Sequence, residues 1–307
     1  MAKAKTPAKS TGRALTNWKE ELAQSAKAQV ATEESAASGG GRFFSLRAGQ
    51  LSFDDAPLPG NQMACIILDS MIENVYYEDA FDADQKTPPT CFGFGRDAKT
   101  ISVHEEVFKN PETFTPQCGP EGGQDDNPDY LCDQCPMNEW GTAKQGRGKA
   151  CSNRRRLAII PAGTYKPLGK GGGFDLDLFD ESAPFREAEV AYMKVPVMSV
   201  KGFAQYLKSV FDQFERPLWA VATRVYVEPD PKSQFRVKFE LLEVIEDEDI
   251  LQALSDRHKT AESEIDFPYL PRSDDDESAR GPQRKAGGSQ KLSRKGGAAK
   301  GSSARRR

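Results

Sequence analysis

The chain reads as a mostly β, α+β protein, a barrel-like sheet with helical additions. Three observations carry that expectation. Residues 63–77 are a long apolar run with β-branched and aromatic content, the composition of a central strand. Residues 219–241 alternate about a turn at Pro229-Asp230-Pro231-Lys232, with Val221, Thr223, Val225 and Val227 before it and Phe235, Val237, Phe239 and Leu241 after it; this predicts a β-hairpin with one buried face. Between these stretches, residues 199–215 place Phe203, Tyr206, Val210 and Phe214 at helical spacing, an amphipathic helix with Ser199 available as its N-cap.

Taken in order, residues 1–41 read as a flexible basic arm with a candidate helix at 18–37, ended by Gly39-Gly40-Gly41. The folded core is expected over 42–265. It opens with short strands at 43–47 and 50–53, followed by turn signals at Asp54-Asp55-Ala56-Pro57 and Pro59-Gly60. A short strand is expected at 91–95, a long loop at 109–131, a strand at 156–160 and a glycine-rich flexible excursion at 165–173. A short helix is expected at 247–261, opened by acidic residues that suit a helix N-terminus. Residues 266–307 read as a disordered tail, acidic at 274–277 and basic beyond.

Charge is partitioned. Residues 1–19 carry five Lys or Arg and residues 280–307 carry ten, neither with an acid; the 260 residues between hold 27 basic and 46 acidic residues, a net of −19. Such ends suit arms that track a polyanion, and equally an expression- or solubility-type tail. No apolar run reaches the length of a membrane span, residues 1–19 lack the apolar core of a secretory signal, and six cysteines in 307 residues are too few for a disulfide framework. A cytoplasmic location with thiols available for metal is the expectation.

Cys132 and Cys135 are separated by two residues, and Cys151 follows after 15 more. Two intervening residues let both sulfurs face one ion, and thiolates suit tetrahedral Zn2+. Gly141, Gly146 and Gly148 permit the turns that bring Cys151 back. Cys91, Cys118 and His104 are the candidates for a fourth ligand, while Cys65, inside an apolar run, reads as a core thiol. The zinc loop therefore spans about 91–156, and its role is structural, since no HExxH pair accompanies it. His104 and His258, the only histidines, read first as solvated or capping residues.

Within this loop Lys144, Arg147, Lys149, Arg154, Arg155 and Arg156 supply positive charge with no acid among them. Single-stranded nucleic acid needs cations on its phosphates and rings on its bases. Trp140 is the foremost ring candidate; Tyr130, Tyr76 and Tyr77 are others, with Tyr76 and Tyr77 on opposite faces if they share a strand. The glycine run at 169–173 lacks the Lys-Ser/Thr of a P-loop, and there is no Gly-x-Ser-x-Gly elbow. No carboxylate cluster presents a two-metal site. The chain reads as a non-enzyme.

The run Cys-x-x-Cys-Pro-x-Asn-x-Trp-Gly at 132–141, followed by Gly-Arg-Gly-Lys-Ala-Cys-Ser-Asn-Arg-Arg-Arg-Leu-Ala at 146–158, resembles a group of bacteriophage single-stranded-DNA-binding, replication-associated proteins. The likeness is specific over 132–160 and loose over 43–245. It implies an oligonucleotide-binding-fold (OB-fold) barrel with a zinc loop insertion. It also favours Cys91, in Pro89-Thr90-Cys91, as the fourth ligand beside Cys132, Cys135 and Cys151. The implied function is binding of single-stranded DNA, with RNA as the other single-stranded candidate, in phage replication or recombination inside the host cytoplasm. The rival is a zinc-stabilised interaction module that docks on replication or transcription proteins. An acidic tail at the very C-terminus, which many single-strand binders use for recruitment, is replaced here by Arg305-Arg306-Arg307.

Overall fold

The computed structural model describes residues 42–54, 56–78, 88–117, 131–144, 146–168 and 174–270. The expected arm at 1–41, the acidic and basic tail from 271, Cys118 and Tyr130 lie outside these residues.

The centre of the molecule is β4 (Gln62–Tyr76), buried along almost its whole length. It pairs antiparallel with β6 (Ser152–Pro161), and β6 with β9 (Ala191–Val195). An 18-residue helix, α3 (Val197–Phe214), then carries the chain across to β10 (Val221–Asp230), which pairs with the opposite flank of β4 and turns back into β11 (Gln234–Val244). β1 (Arg42–Arg47) joins β9 in parallel, and β2 (Gln50–Phe53) and β3 (Ala56–Pro57) extend that edge. β5 (Cys91–Gly95) pairs with the end of β4. The result is a nine-stranded, curled, open half-barrel of mostly β character. A separate hairpin pairs β7 (Gly163–Pro167) with β8 (Phe174–Leu178), so the start of the excursion expected at 165–173 is strand; 169–173 lie outside the described residues.

The β1–β2 turn is a two-residue loop in which Ala48 and Gly49 both have positive φ (+50° and +80°), the backbone that right-twisted strands prefer. A Cβ on Gly49 would stand 3.4 Å from that of Phe235, so this hairpin abuts the start of β11.

Two cores follow from strand alternation. The concave face carries Cys65, Ile67, Leu157, Ile159 and Met193 against Phe203, Tyr206 and Val210 of α3. The outer face carries Ile66, Leu68, Ala158 and Ile160 under Phe185 of α2 (Ala183–Glu187) and Ile250, Leu254 and Ala261 of α4 (Glu248–Glu264). A register shift between Ile67 and Asp69 lets β4 bend and turns Asp69, Met71 and Glu73 toward the outer face.

Helix ends differ in part from expectation. Asp247 caps α4 by accepting from the Ile250 N–H at 2.9 Å, as its sequence suggests. Ser199 lies inside α3 rather than capping it; its Oγ accepts from the Val237 N–H of β11 at 3.0 Å, so the polar side chain serves a strand instead. The core also runs past its expected end, because residues 265–270 continue from α4 and pack on the sheet rather than starting the tail. No helix among the described residues is long and apolar enough to cross a membrane.

Candidate metal centre and nucleic-acid interface

The segment between β4 and β6 holds both parts of the candidate site. β5 returns antiparallel to β4, placing Cys91 opposite Tyr76. The chain then passes through α1 (Glu105–Lys109) and re-emerges at 131, where a bridge between Ser102 and Leu131 and a bond from the Cys132 N–H to the Ile101 carbonyl (2.7 Å) hang the Cys-x-x-Cys turn from 101–102. Asn138 tightens the turn: its Nδ2 donates to the Cys132 carbonyl at 2.6 Å and its N–H to that of Cys135 at 2.9 Å. Cys151 is brought back by its own N–H on the Met137 carbonyl at 2.7 Å.

Cys91, Cys132, Cys135 and Cys151 are all buried, and together they line one small cavity of about 10 Å³ with Asn74, Gln117 and Met137. That volume accommodates a single ion or water and nothing larger. Among the described residues no set of three or more Cys, His, Asp or Glu side chains meets metal-coordination geometry, so the convergence is one of shared cavity and burial. Burial pushes the Cys91 thiol up to about 12 and raises that of Cys151 as well, and the neighbouring sulfurs add to both shifts. Four cysteine sulfurs on one cavity are donors of the kind a thiophilic divalent cation takes. The donor types are those Zn2+ takes, while the coordination geometry is not formed among the described residues.

Gly93 makes this packing possible. A Cβ there would lie 2.3 Å from the Ser102 carbonyl oxygen and 3.2 Å from the Cys132 sulfur. Cys65 sits in the concave core, its thiol raised to about 12 by burial, and takes no part in the cavity. His104 caps α1, its Nδ1 accepting from the Glu106 N–H at 3.1 Å, as a capping residue should.

The basic residues divide into two groups. Lys144 and Arg147 are exposed, and Lys149 is half-buried, its ammonium 5.9 Å from the ring centre of Trp140 and donating to Asn138 Oδ1 at 3.0 Å. Trp140 itself is 79 % exposed. Lys144 also donates to the Glu78 carbonyl. Of these four, Lys149 and Trp140 are brought together, and Lys144 and Arg147 are exposed in the same loop.

Arg154, Arg155 and Arg156 stand instead on β6, which begins at Ser152 and not at 156. Arg154 and Arg155 are half-buried, on opposite faces. Arg156 departs from the expected phosphate surface. It is 1 % exposed, paired with Glu73, and its Nη1 donates to the carbonyls of Ile265 and Phe267 at 3.1 and 2.7 Å. Tyr76 is core, and Tyr77 is half-buried against the cluster that surrounds the cysteines. The sequence signal for Arg156's true place was present: Asp69 and Glu73 are the only acids in 63–77, and a charge inside a central strand demands a partner.

Comparison with protein-family models, with characterised proteins and with solved structures finds no match to this chain.

Proposed function

We propose that the chain is a non-enzymatic, zinc-stabilised single-stranded-DNA-binding protein. Cys91, Cys132, Cys135 and Cys151 would hold one Zn2+. Such an ion would cross-link the loop to β5 and supply no chemistry beyond that. The observation that carries the reading is that four cysteines drawn from three separate stretches line one ion-sized cavity at the base of the loop that exposes Trp140, Lys144 and Arg147.

The strand order supports the finer fold assignment. β4, β6 and β9 form an antiparallel meander, α3 follows the third strand, and β10 returns to the free side of the first before pairing with β11. That sequence of pairings is the one an OB-fold barrel uses, with the β1–β2 hairpin added beside β9. OB folds take oligonucleotides on the face of their second and third strands and on the loops between the first and second and between the fourth and fifth. The proposed zinc loop is the connection between the first and second. The setting implied by the resemblance is phage DNA replication or recombination in the host cytoplasm.

One observation favours the rival, a zinc-stabilised interaction module. Leu207, Phe211 and Phe214 form an exposed apolar stripe on α3, at 42, 61 and 40 % exposure. Anisotropy titration of labelled oligo-dT at two salt concentrations, with zinc determined on the same sample, separates the readings. Salt-sensitive binding supports the first. No binding by zinc-loaded protein would leave the second.

A further inference from the structure

The face of β6 and β9 that an OB barrel would offer to a strand is covered by the chain itself. After α4 the backbone crosses this face as residues 265–270, and the contacts it makes are of an unusual kind. Phe267 lies 4.4 Å from the Arg156 guanidinium and edge-on to Tyr192 at 4.7 Å. Tyr269 stacks near-parallel to Phe94 and packs edge-on against Phe92, its hydroxyl accepting from Lys194 Nζ at 2.7 Å and donating to Glu73 Oε1 at 2.9 Å. Two carbonyls of the same segment accept from Arg156.

Two rings inserted among aromatic side chains, with oxygens on a guanidinium, is the pattern two stacked bases and a phosphate would make. The charge beneath agrees. Arg156 and Lys194 face the Glu73 carboxylate, whose Oε2 has no hydrogen-bond partner among the described residues, and Arg154 stands in register with Glu73 on the neighbouring strand. The local excess is positive in a body whose average is strongly acidic.

We propose that residues 265–270 are a displaceable strap occupying a subsite for about two nucleotides of single-stranded DNA, so that strand binding and strap docking compete. The subsite comprises Phe43, Phe94, Arg156, Tyr192 and Lys194, and the strap holds it with Phe267 and Tyr269. This rests on the single-strand reading above. A competing internal segment weakens apparent affinity by the fraction of molecules in which it is docked.

The test is cleavage of the full-length protein by chymotrypsin after Tyr269, with and without saturating oligo-dT; Phe267 precedes Pro268 and is not a cleavage site. Ordinary ligands protect a chain from protease; here DNA should accelerate cleavage at this bond, on the order of tenfold for a strap docked in nine molecules of ten. A full-length variant carrying Phe267→Ala and Tyr269→Ala should bind oligo-dT about tenfold more tightly than the parent. Binding of DNA with cleavage unchanged or slowed would overturn the strap and leave the single-strand reading standing. Absence of binding by both the parent and the double variant at low salt would remove both.

Discussion

Arg156 and Glu73 form an ion pair from which both side chains have lost water: Nε and Nη2 donate to the same carboxylate oxygen at 3.1 and 2.5 Å, with 1 and 0 % of the side chains exposed. The guanidinium is also sandwiched between Phe94 and Phe267, at 4.2 and 4.4 Å. Removing one partner of such a pair strands the other charge. Glu73→Gln is therefore expected to cost about 3–5 kcal/mol in denaturant unfolding. Arg155→Ala, with its guanidinium donating to the Arg154 carbonyl at 3.1 Å, should cost about 1 kcal/mol.

The same pair sets a pH dependence. Burial pushes the Glu73 carboxyl up, but Lys194 and Arg156, with their hydrogen bonds, outweigh it and hold the group below its ordinary 4.5. A depressed carboxyl stabilises the fold above its unfolded value and loses that contribution as pH falls through the folded one. Urea midpoints should therefore fall below about pH 4.5, with Glu73→Gln lacking this part of the slope. Burial lowers Lys194 from 10.5 to about 8, against the pull of Glu73. The folded chain then sheds this proton before the unfolded one, so its contribution to stability rises with pH between about 8 and 10, and Lys194→Met should flatten that limb.

Gly93 is a steric requirement of the cysteine cluster. Its missing Cβ leaves room for the Ser102 carbonyl, 2.3 Å from where that carbon would stand, and backbone on both sides cannot yield cheaply. Gly93→Ala should destabilise the protein by about 1–3 kcal/mol through overpacking. Because Cys132 hangs from the same segment, the variant should also lose zinc more readily to a chelator. Gly148→Ala, whose added carbon meets only the Ala143 methyl at 3.8 Å, is the control expected to be near neutral.

How much of this was legible in sequence depended on whether the signal was local. β4 was readable because its apolar run is unbroken, and β10 with β11 because both alternate. β9 was missed: its five residues, Ala191–Val195, show no periodicity and take their identity from pairing with β1, about 150 positions earlier. The three arginines of β6 read as one charge run, since a run of identical residues conceals which face each takes. Only the partner 83 positions away reveals that Arg156 turns inward. The cysteine cluster was read from the spacing of three residues, and its fourth member came from resemblance alone; in the structure Cys91 lines the cavity because β5 folds back on β4.

That geometry separates two buried thiols of the same chain. Cys91 lines the shared cavity, whereas Cys65 lies in the concave core near Ile159 and Val225. Purified protein is expected to carry one zinc, and Cys91→Ser to lose it with a fall in melting temperature. Cys65→Ser should keep its zinc, although burying a hydroxyl in an apolar site lowers stability on its own account. Equal zinc in both variants, measured by elemental analysis, would remove Cys91 from the ligand set.

Salt dependence distinguishes residues that meet phosphate from those that hold the fold. For single strands each phosphate contact contributes about 0.7 to the slope of log affinity against log salt. Lys149 lies beside Trp140, and Lys144 and Arg147 are exposed in the same loop, so replacing all three by Ala should lower the slope by about 2 while leaving the melting temperature nearly unchanged. Trp140→Ala should act differently. Losing a stacked base costs about 1–3 kcal/mol of binding without releasing fewer ions, so affinity falls while the slope stays. Tryptophan emission quenched on oligo-dT addition in the parent and unchanged in this variant would tie the ring to the strand. A triple variant with an unaltered slope would move the phosphate contacts elsewhere on the protein.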